Sequence, residues 1–165
     1  MRMKYPAAGS IGESREIYWH KIVLGANDEK YKNFEPYAKL KKCMCSNQSL
    51  CEGFVLKNEA EEIIATIGVM YKGAKDTQEY YRLENIDAFI FGVYVAPEYR
   101  GQGIAGAMIE KLMQHLYFQG IDCAYLAVAS TNQSAIRAYQ KIGCNIIKKY
   151  KFLRTLKMNI PHYKL

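Results

Sequence analysis

The spacing of hydrophobic residues in this chain changes several times, and each change marks an element. Between residues 16 and 24 the alternation is loose, with Ile17, Trp19 and Val23 apolar, and predicts a first strand. Tyr31, Phe34, Tyr37, Ala38 and Leu40 recur at near-helical spacing within 28–45, and Pro36 predicts a break there into two short helices. Two β-rich runs, 53–56 and 63–70, flank the polar residues 57–62 and predict a hairpin. Residues 73–84 are polar with several tyrosines, a loop or a hairpin extension. The run 87–95 is the strongest strand of the chain. Over 103–119, Ile104, Ala107, Met108, Leu112 and Leu116 make one apolar stripe, a helix ended by Gly120. Residues 122–129 predict a buried strand, and Ser130 or Thr131 can cap a helix over 132–142 that stops at Gly143. Two strands, 144–150 and 152–158, follow. The predicted order is strand, two helices, three strands, helix, strand, helix, two strands.

Composition narrows the class. At 165 residues, half of them hydrophobic, the expectation is a single domain over 1–165, with 1–15 as an irregular N-terminal segment. Residues 1–10 carry basic side chains but no apolar core, so no secretory leader is expected. The longest apolar stretch, near 88–96, is too short to span a bilayer, so no membrane partner is expected. Five cysteines (Cys43, Cys45, Cys51, Cys123 and Cys144) are an odd number in a chain that needs no disulfide staples, which favours reduced thiols and a cytoplasmic location. Cys43-x-Cys45 with Cys51 lacks a fourth ligand at zinc spacing and a nearby His, so no metal is expected.

The net charge of +7 is unevenly placed: no Asp or Glu follows Asp122, while eight Lys and Arg do. Such a one-signed third raises the local concentration of anions, either a phosphorylated cofactor or an anionic acceptor; it also serves simply as a solvated face. Nucleic acid is disfavoured, because no helix concentrates basic side chains with interleaved stacking aromatics.

The segment Arg100-Gly101-Gln102-Gly103-Ile104-Ala105-Gly106 lies between the strongest strand and a helix. Glycines there let a backbone approach phosphate oxygens, and the unpaired N–H groups of a first helical turn point at them. Gly101-x-Gly103-x-x-Gly106 satisfies the dinucleotide fingerprint formally, but that fold needs an acidic residue at the end of the next strand. Asp122 stands at the wrong end of it, and about 60 residues after the loop are too few for the remainder of that fold. A nucleoside-triphosphate loop is excluded, since no Gly-Lys-Ser or Gly-Lys-Thr is present.

A third reading fits. Val93-x-Val95-x-Pro97-Glu98-Tyr99-Arg100-Gly101-Gln102-Gly103-Ile104-Ala105 resembles the acetyl-CoA signature of the GNAT N-acetyltransferase superfamily: Arg or Gln, two residues, Gly, one residue, Gly or Ala. A second block, Asn132-x-x-Ala135-x-x-x-Tyr139-x-x-x-Gly143, resembles that superfamily's downstream motif. The resemblance covers about residues 87–150. Two departures, Cys144 where the family has an aromatic and Ala138 where it has Leu, look like packing positions. The resemblance implies an α/β (α+β) fold, a mixed, mostly antiparallel central sheet flanked by helices, whose parallel strands splay to admit the pantetheine arm. It implies an acetyltransferase that moves acetyl from acetyl-CoA, its only cofactor, to a primary amine by direct attack in a ternary complex.

Site roles follow from the same resemblance. Backbone N–H groups of Gly101, Gln102, Gly103, Ile104, Ala105 and Gly106 would hold the pyrophosphate beside Arg100. The N–H of Val95 would bind the arm, and that of Val93 would face the acetyl carbonyl, where a preorganised donor lowers the barrier. Tyr139 is the candidate general acid for the leaving thiolate, and Asn132 a cofactor contact that also suits a helix cap. Tyr139 also suits a core position, as do the side chains of both valines.

The candidate base is Asp87, on the face shared by Phe89, Phe91 and Val93, or Glu84; a solvated strand end is the better account of either. His20, His115 and His162 show no partner pattern. The acceptor is expected to be a small-molecule amine or amino sugar, an anionic one being permitted by the basic end, and the protein a monomer or homodimer. A non-catalytic CoA-binding or sensing module is the alternative, and a nucleic-acid-binding protein ranks below it.

Overall fold

The computed structural model describes residues 2–6, 14–24, 29–75 and 87–163, with side chains from residue 17 onward. Along the chain come β1 (Arg2–Pro6), β2 (Ser14–Lys21), α1 (Glu35–Asn47), β3 (Cys51–Lys57), β4 (Ile63–Tyr71), β5 (Ala88–Val95), α2 (Ile104–Phe118), β6 (Cys123–Ala129), α3 (Gln133–Lys141), β7 (Asn145–Lys149) and β8 (Leu153–Asn159). The eight strands form one sheet in the order β1-β2-β3-β4-β5-β6-β8-β7. All pairings are antiparallel except β5 with β6, so the mixed, mostly antiparallel sheet is as expected.

Two local expectations are corrected. The N-terminal segment is not irregular throughout: β1 pairs with β2, Met3 opposite Ile17, and so satisfies backbone groups that a bare edge would leave open. Nor does Pro36 split a helix. It occupies the first turn of α1, where a proline removes no hydrogen bond that the helix could make, and only a 3₁₀ turn, Glu29–Tyr31, precedes it. The 57–62 hairpin forms as expected, tightened by the Asn58 side-chain oxygen, which accepts from the N–H groups of Ala60 and Glu62. Most of the predicted 73–84 loop, Glu84 included, lies outside the described residues.

The core has two layers. On one face α2 and α3 bury Met108, Ile109, Leu112, Leu116 and Ile136 against Ile67, Ile90, Leu126 and Leu156. On the other, α1 buries Tyr37, Leu40 and Met44 against Val55, Met70 and Phe89. α1 comes very close to the sheet because glycines lie beneath it. A Cβ on Gly68 would stand 2.7 Å from Leu40, and one on Gly92 2.8 Å from the same methyl.

The sheet end opposite the C-terminus of β5 is tied to α2 by a polar cluster. Glu52 of β3 accepts from Lys21 Nζ (3.1 Å) and the Tyr71 hydroxyl (2.8 Å), and His115 Nε2 of α2 lies 2.6 Å from its carboxylate. Burial alone would raise the Glu52 carboxyl; the hydrogen bonds from His115, Tyr71 and Lys21 outweigh it and pull the group from 4.5 down to about 2. His115, without a partner pattern in the sequence, thus acts as a staple between helix and sheet.

Candidate active site

Strand β5 changes character halfway along. Ala88 and Ile90 pack on the α2 side and Phe89 and Phe91 on the α1 side, but Val93 and Val95 also pack on the α2 side. Strict alternation would forbid that parity. A bulge accounts for it: the register with β4 slips between Thr66 and Gly68, and Gly92 adopts φ +61°, a left-handed conformation that a side chain would strain. Val93 is therefore not on the face of Phe89 and Phe91, as alternation had suggested.

Past the bulge, β5 and β6 part. Only Phe89–Tyr125 and Ile90–Leu126 are paired between them, and Gly92 is solvent-exposed in the middle of the sheet. On the other side β5 stays attached to β4, and the Ala96 N–H donates to the Ile64 carbonyl (2.8 Å). Backbone groups alternate in direction along an extended strand, so Tyr94 also faces β4, while the N–H groups of Val93 and Val95 face the gap. The Val95 carbonyl, turned the same way, accepts from Arg100 Nε at 2.8 Å. Arg100 is thus fixed at the mouth of the gap, its guanidinium 5.9 Å from the centre of the Tyr94 ring.

The gap opens onto the N-terminus of α2. Gly101 and Gly103 hold φ of +76° and +78° with no atom near a would-be Cβ, so the need for glycine there lies in the backbone rather than in packing. Gly103 caps the 15-residue helix with no side-chain acceptor, and no acidic residue stands in the first turn. The first-turn N–H groups are left without internal partners at the positive end of the helix dipole.

These elements enclose a cavity of about 480 Å³. Its walls are Val93, Tyr94 and Val95 of β5; Tyr99, Arg100, Gly101, Gly103, Ile104, Ala105 and Gly106; and Asn132, Ser134, Ala135, Ala138 and Tyr139 of α3. Two residues named from sequence stay outside. Gln102 donates from its side chain to the Glu98 carbonyl (3.4 Å) and does not line the cavity. Asp87 is exposed just before β5, six residues from Val93, or about 20 Å along a strand.

On α3, the cap is Asn132 rather than Ser130 or Thr131: its side-chain oxygen accepts from the Ala135 N–H (3.2 Å). Tyr139 is 7% exposed and raised above its ordinary pKa by burial and, secondarily, by the Cys144 thiol behind it. Burial pushes Cys144 itself up to about 11. No group among the described residues hydrogen-bonds the Tyr139 hydroxyl. Ala138, which looked like a packing position, lines the cavity instead, and Ser134, Ala135 and Ala138 repeat at the three- and four-residue spacing that puts small side chains on one helix face. That spacing was the available signal. Tyr94 could not be assigned from sequence, because the bulge decides which way it points.

Residues 15–144 match the family model of the acetyltransferase (GNAT) family. The chain belongs to the GNAT family. Among curated proteins this GNAT chain is similar to the ribosomal protein bS18-alanine N-acetyltransferase of Escherichia coli (strain K12), 34% identical over 59 residues, or 36% of this chain and 40% of that protein. It is also similar to the thialysine N-epsilon-acetyltransferase of Sus scrofa, 36% identical over 55 residues, or 33% of this chain and 32% of that protein. Both matches span less than half of the relative. In fold it is similar to a GNAT-family acetyltransferase from Staphylococcus aureus Mu50, with a TM-score of 0.65, 17% identity, and coverage of 88% of this chain and 99% of that one. A GNAT-family acetyltransferase from Elizabethkingia anophelis with acetyl-CoA bound gives a TM-score of 0.63 at 14% identity, covering 87% and 97%.

Among the described residues no group of three or more His, Cys, Asp or Glu is gathered as for a metal, and no helix is long and apolar enough to cross a membrane.

Proposed function

We propose that this protein transfers the acetyl group of acetyl-CoA to a primary amine by direct attack. The observation that carries the reading is the continuity of the splayed strand gap with the uncapped N-terminus of α2 in one cavity. That shape suits a ligand with a diphosphate at one end and an amide-rich arm at the other. The N–H groups around Gly101–Gly106 bind phosphate oxygens with no charged side chain in the way, and Arg100 adds a cation at the mouth. The Val95 N–H pairs with an amide of the arm as a neighbouring strand would. The Val93 N–H donates to the acetyl oxygen, where negative charge develops during attack.

Acetyl-CoA supplies an already activated thioester, so no acyl-enzyme is needed. Tyr139 keeps its proton at neutral pH, with its pKa raised, and donates a hydrogen bond to the departing sulfur. A thiol's ordinary value is about 8.5, well below that of a buried tyrosine, so stabilising the thiolate outweighs handing over the proton. Asp87 receives no role, because the strand holds it at the other end of the sheet.

The acceptor is an amine in this reading. The relatives are named for amines on a protein and on a lysine analogue, and the excess of basic side chains after Asp122 admits an anionic carrier such as a nucleotide-linked amino sugar. The reading places the protein in the cytoplasm. Thiol release from acetyl-CoA over a panel of amines tests it. Amine-dependent release is expected; binding of acetyl-CoA with no release over any amine would instead identify a CoA-sensing module.

A further inference from the structure

The donor proposed for the acetyl oxygen is half of a peptide group whose other half is held. Thr66 of β4 is fully buried, and its Oγ1 donates to the Gly92 carbonyl at 2.8 Å. Gly92 C=O and Val93 N–H belong to one planar trans peptide, so they point in opposite directions. A clamp on the carbonyl from the β4 side therefore fixes the N–H toward the gap.

We propose that Thr66 is a positioning residue that aims and polarises the Val93 N–H through the peptide it shares with Gly92; this rests on the acetyltransferase reading and deepens it. Two further observations support the role. The bulge takes this peptide out of the regular ladder, since the register is lost between Thr66 and Gly68, so a side chain replaces the strand hydrogen bond that would otherwise hold it. Gly92, with φ +61° and no side chain, has little else to resist rotation on the gap side. A hydrogen bond accepted by a peptide carbonyl also strengthens the donor on the same peptide, so the hydroxyl acts on donor strength as well as direction. Thr66 touches neither acyl group nor amine; it acts through the backbone.

The test compares Thr66→Val, which keeps the shape and removes the hydroxyl, with Thr66→Ser, which keeps the hydroxyl. Turnover is expected to fall about tenfold in Thr66→Val, a fraction of what losing an oxyanion donor outright does, with KM for acetyl-CoA changed less than about twofold. Thr66→Ser should recover most of the rate. The Val93 amide proton resonance reads the same peptide without an acceptor. It should move when acetyl-CoA replaces CoA in the wild type, and move much less in Thr66→Val. Unchanged turnover in Thr66→Val, or equal loss in Thr66→Ser, overturns the proposal. If the wild-type resonance responds and the Val variant responds equally, Thr66 fails while the site reading stands. If the wild-type resonance ignores the acetyl group, the acetyl does not sit there and both fall. Should Thr66→Val not fold, Thr66→Ala carries the same comparison.

Discussion

Tyr139 and Glu52 show how the same effect of burial ends in opposite shifts for two acids, because only one of them has hydrogen-bond donors to offset it. For Tyr139, burial and the Cys144 thiol act together and keep the hydroxyl protonated, which suits a hydrogen-bond donor. Tyr139→Phe is expected to lower turnover about a hundredfold, within the range of a lost general acid, while CoA affinity from calorimetry changes little. Equal loss in both would make Tyr139 a packing residue. For Glu52, three donors overcome burial and hold the carboxyl at about 2 against 4.5 in the unfolded chain. A depressed carboxyl contributes stability that is fully present above the unfolded value and lost as pH falls through the folded one. The melting temperature should therefore fall as pH drops from about 4.5 to 2, and Glu52→Gln should flatten the curve in that window.

Among the elements, α1 and α2 do different work. Leu40 of α1 rests on Gly68 and Gly92, so it supports the bulge from the face opposite Val93. Leu40→Ala should cost about 2–5 kcal/mol in denaturant unfolding. The N-terminus of α2 allows a test with two opposite signs. A carboxylate at Ala105 complements the helix dipole and adds up to about 1 kcal/mol of stability, yet it repels a phosphate. Ala105→Asp should bind CoA at least tenfold more weakly at unchanged or higher melting temperature; unweakened binding would remove the helix end from the site.

Most elements were legible because their apolar periods are strong, as in 63–70, 87–95 and 103–119. The errors fell where tertiary context decides. Pro36 suits a helix start as well as a break, and β1 forms only because β2 offers an edge. The glycine loop and Asn132–Tyr139 could be read as spacing, whereas the bulge could not, since residues 88–95 are apolar or glycine throughout and show no alternation for an inserted residue to flip. Thr66 and Tyr94 were hidden for that reason.

At the scale of the molecule, the parting of β5 and β6 links sheet geometry to charge. The eight basic residues after Asp122 include Arg137 and Lys141 on α3, the helix that forms one wall of the cavity. CoA affinity should accordingly fall as ionic strength rises, because screening shortens the reach of these charges to about 8 Å at physiological salt. The basic hairpin from Lys148 to Arg154 extends from the same sheet end, with the Ser130 N–H donating to the Phe152 carbonyl (3.0 Å) beside the start of α3. The most direct test is a crystal structure with acetyl-CoA. The account predicts the diphosphate on the N–H groups of residues 101–106 and the thioester oxygen within hydrogen-bond distance of the Val93 N–H. A ligand bound elsewhere, or strands β5 and β6 zipped together along their length, would contradict it.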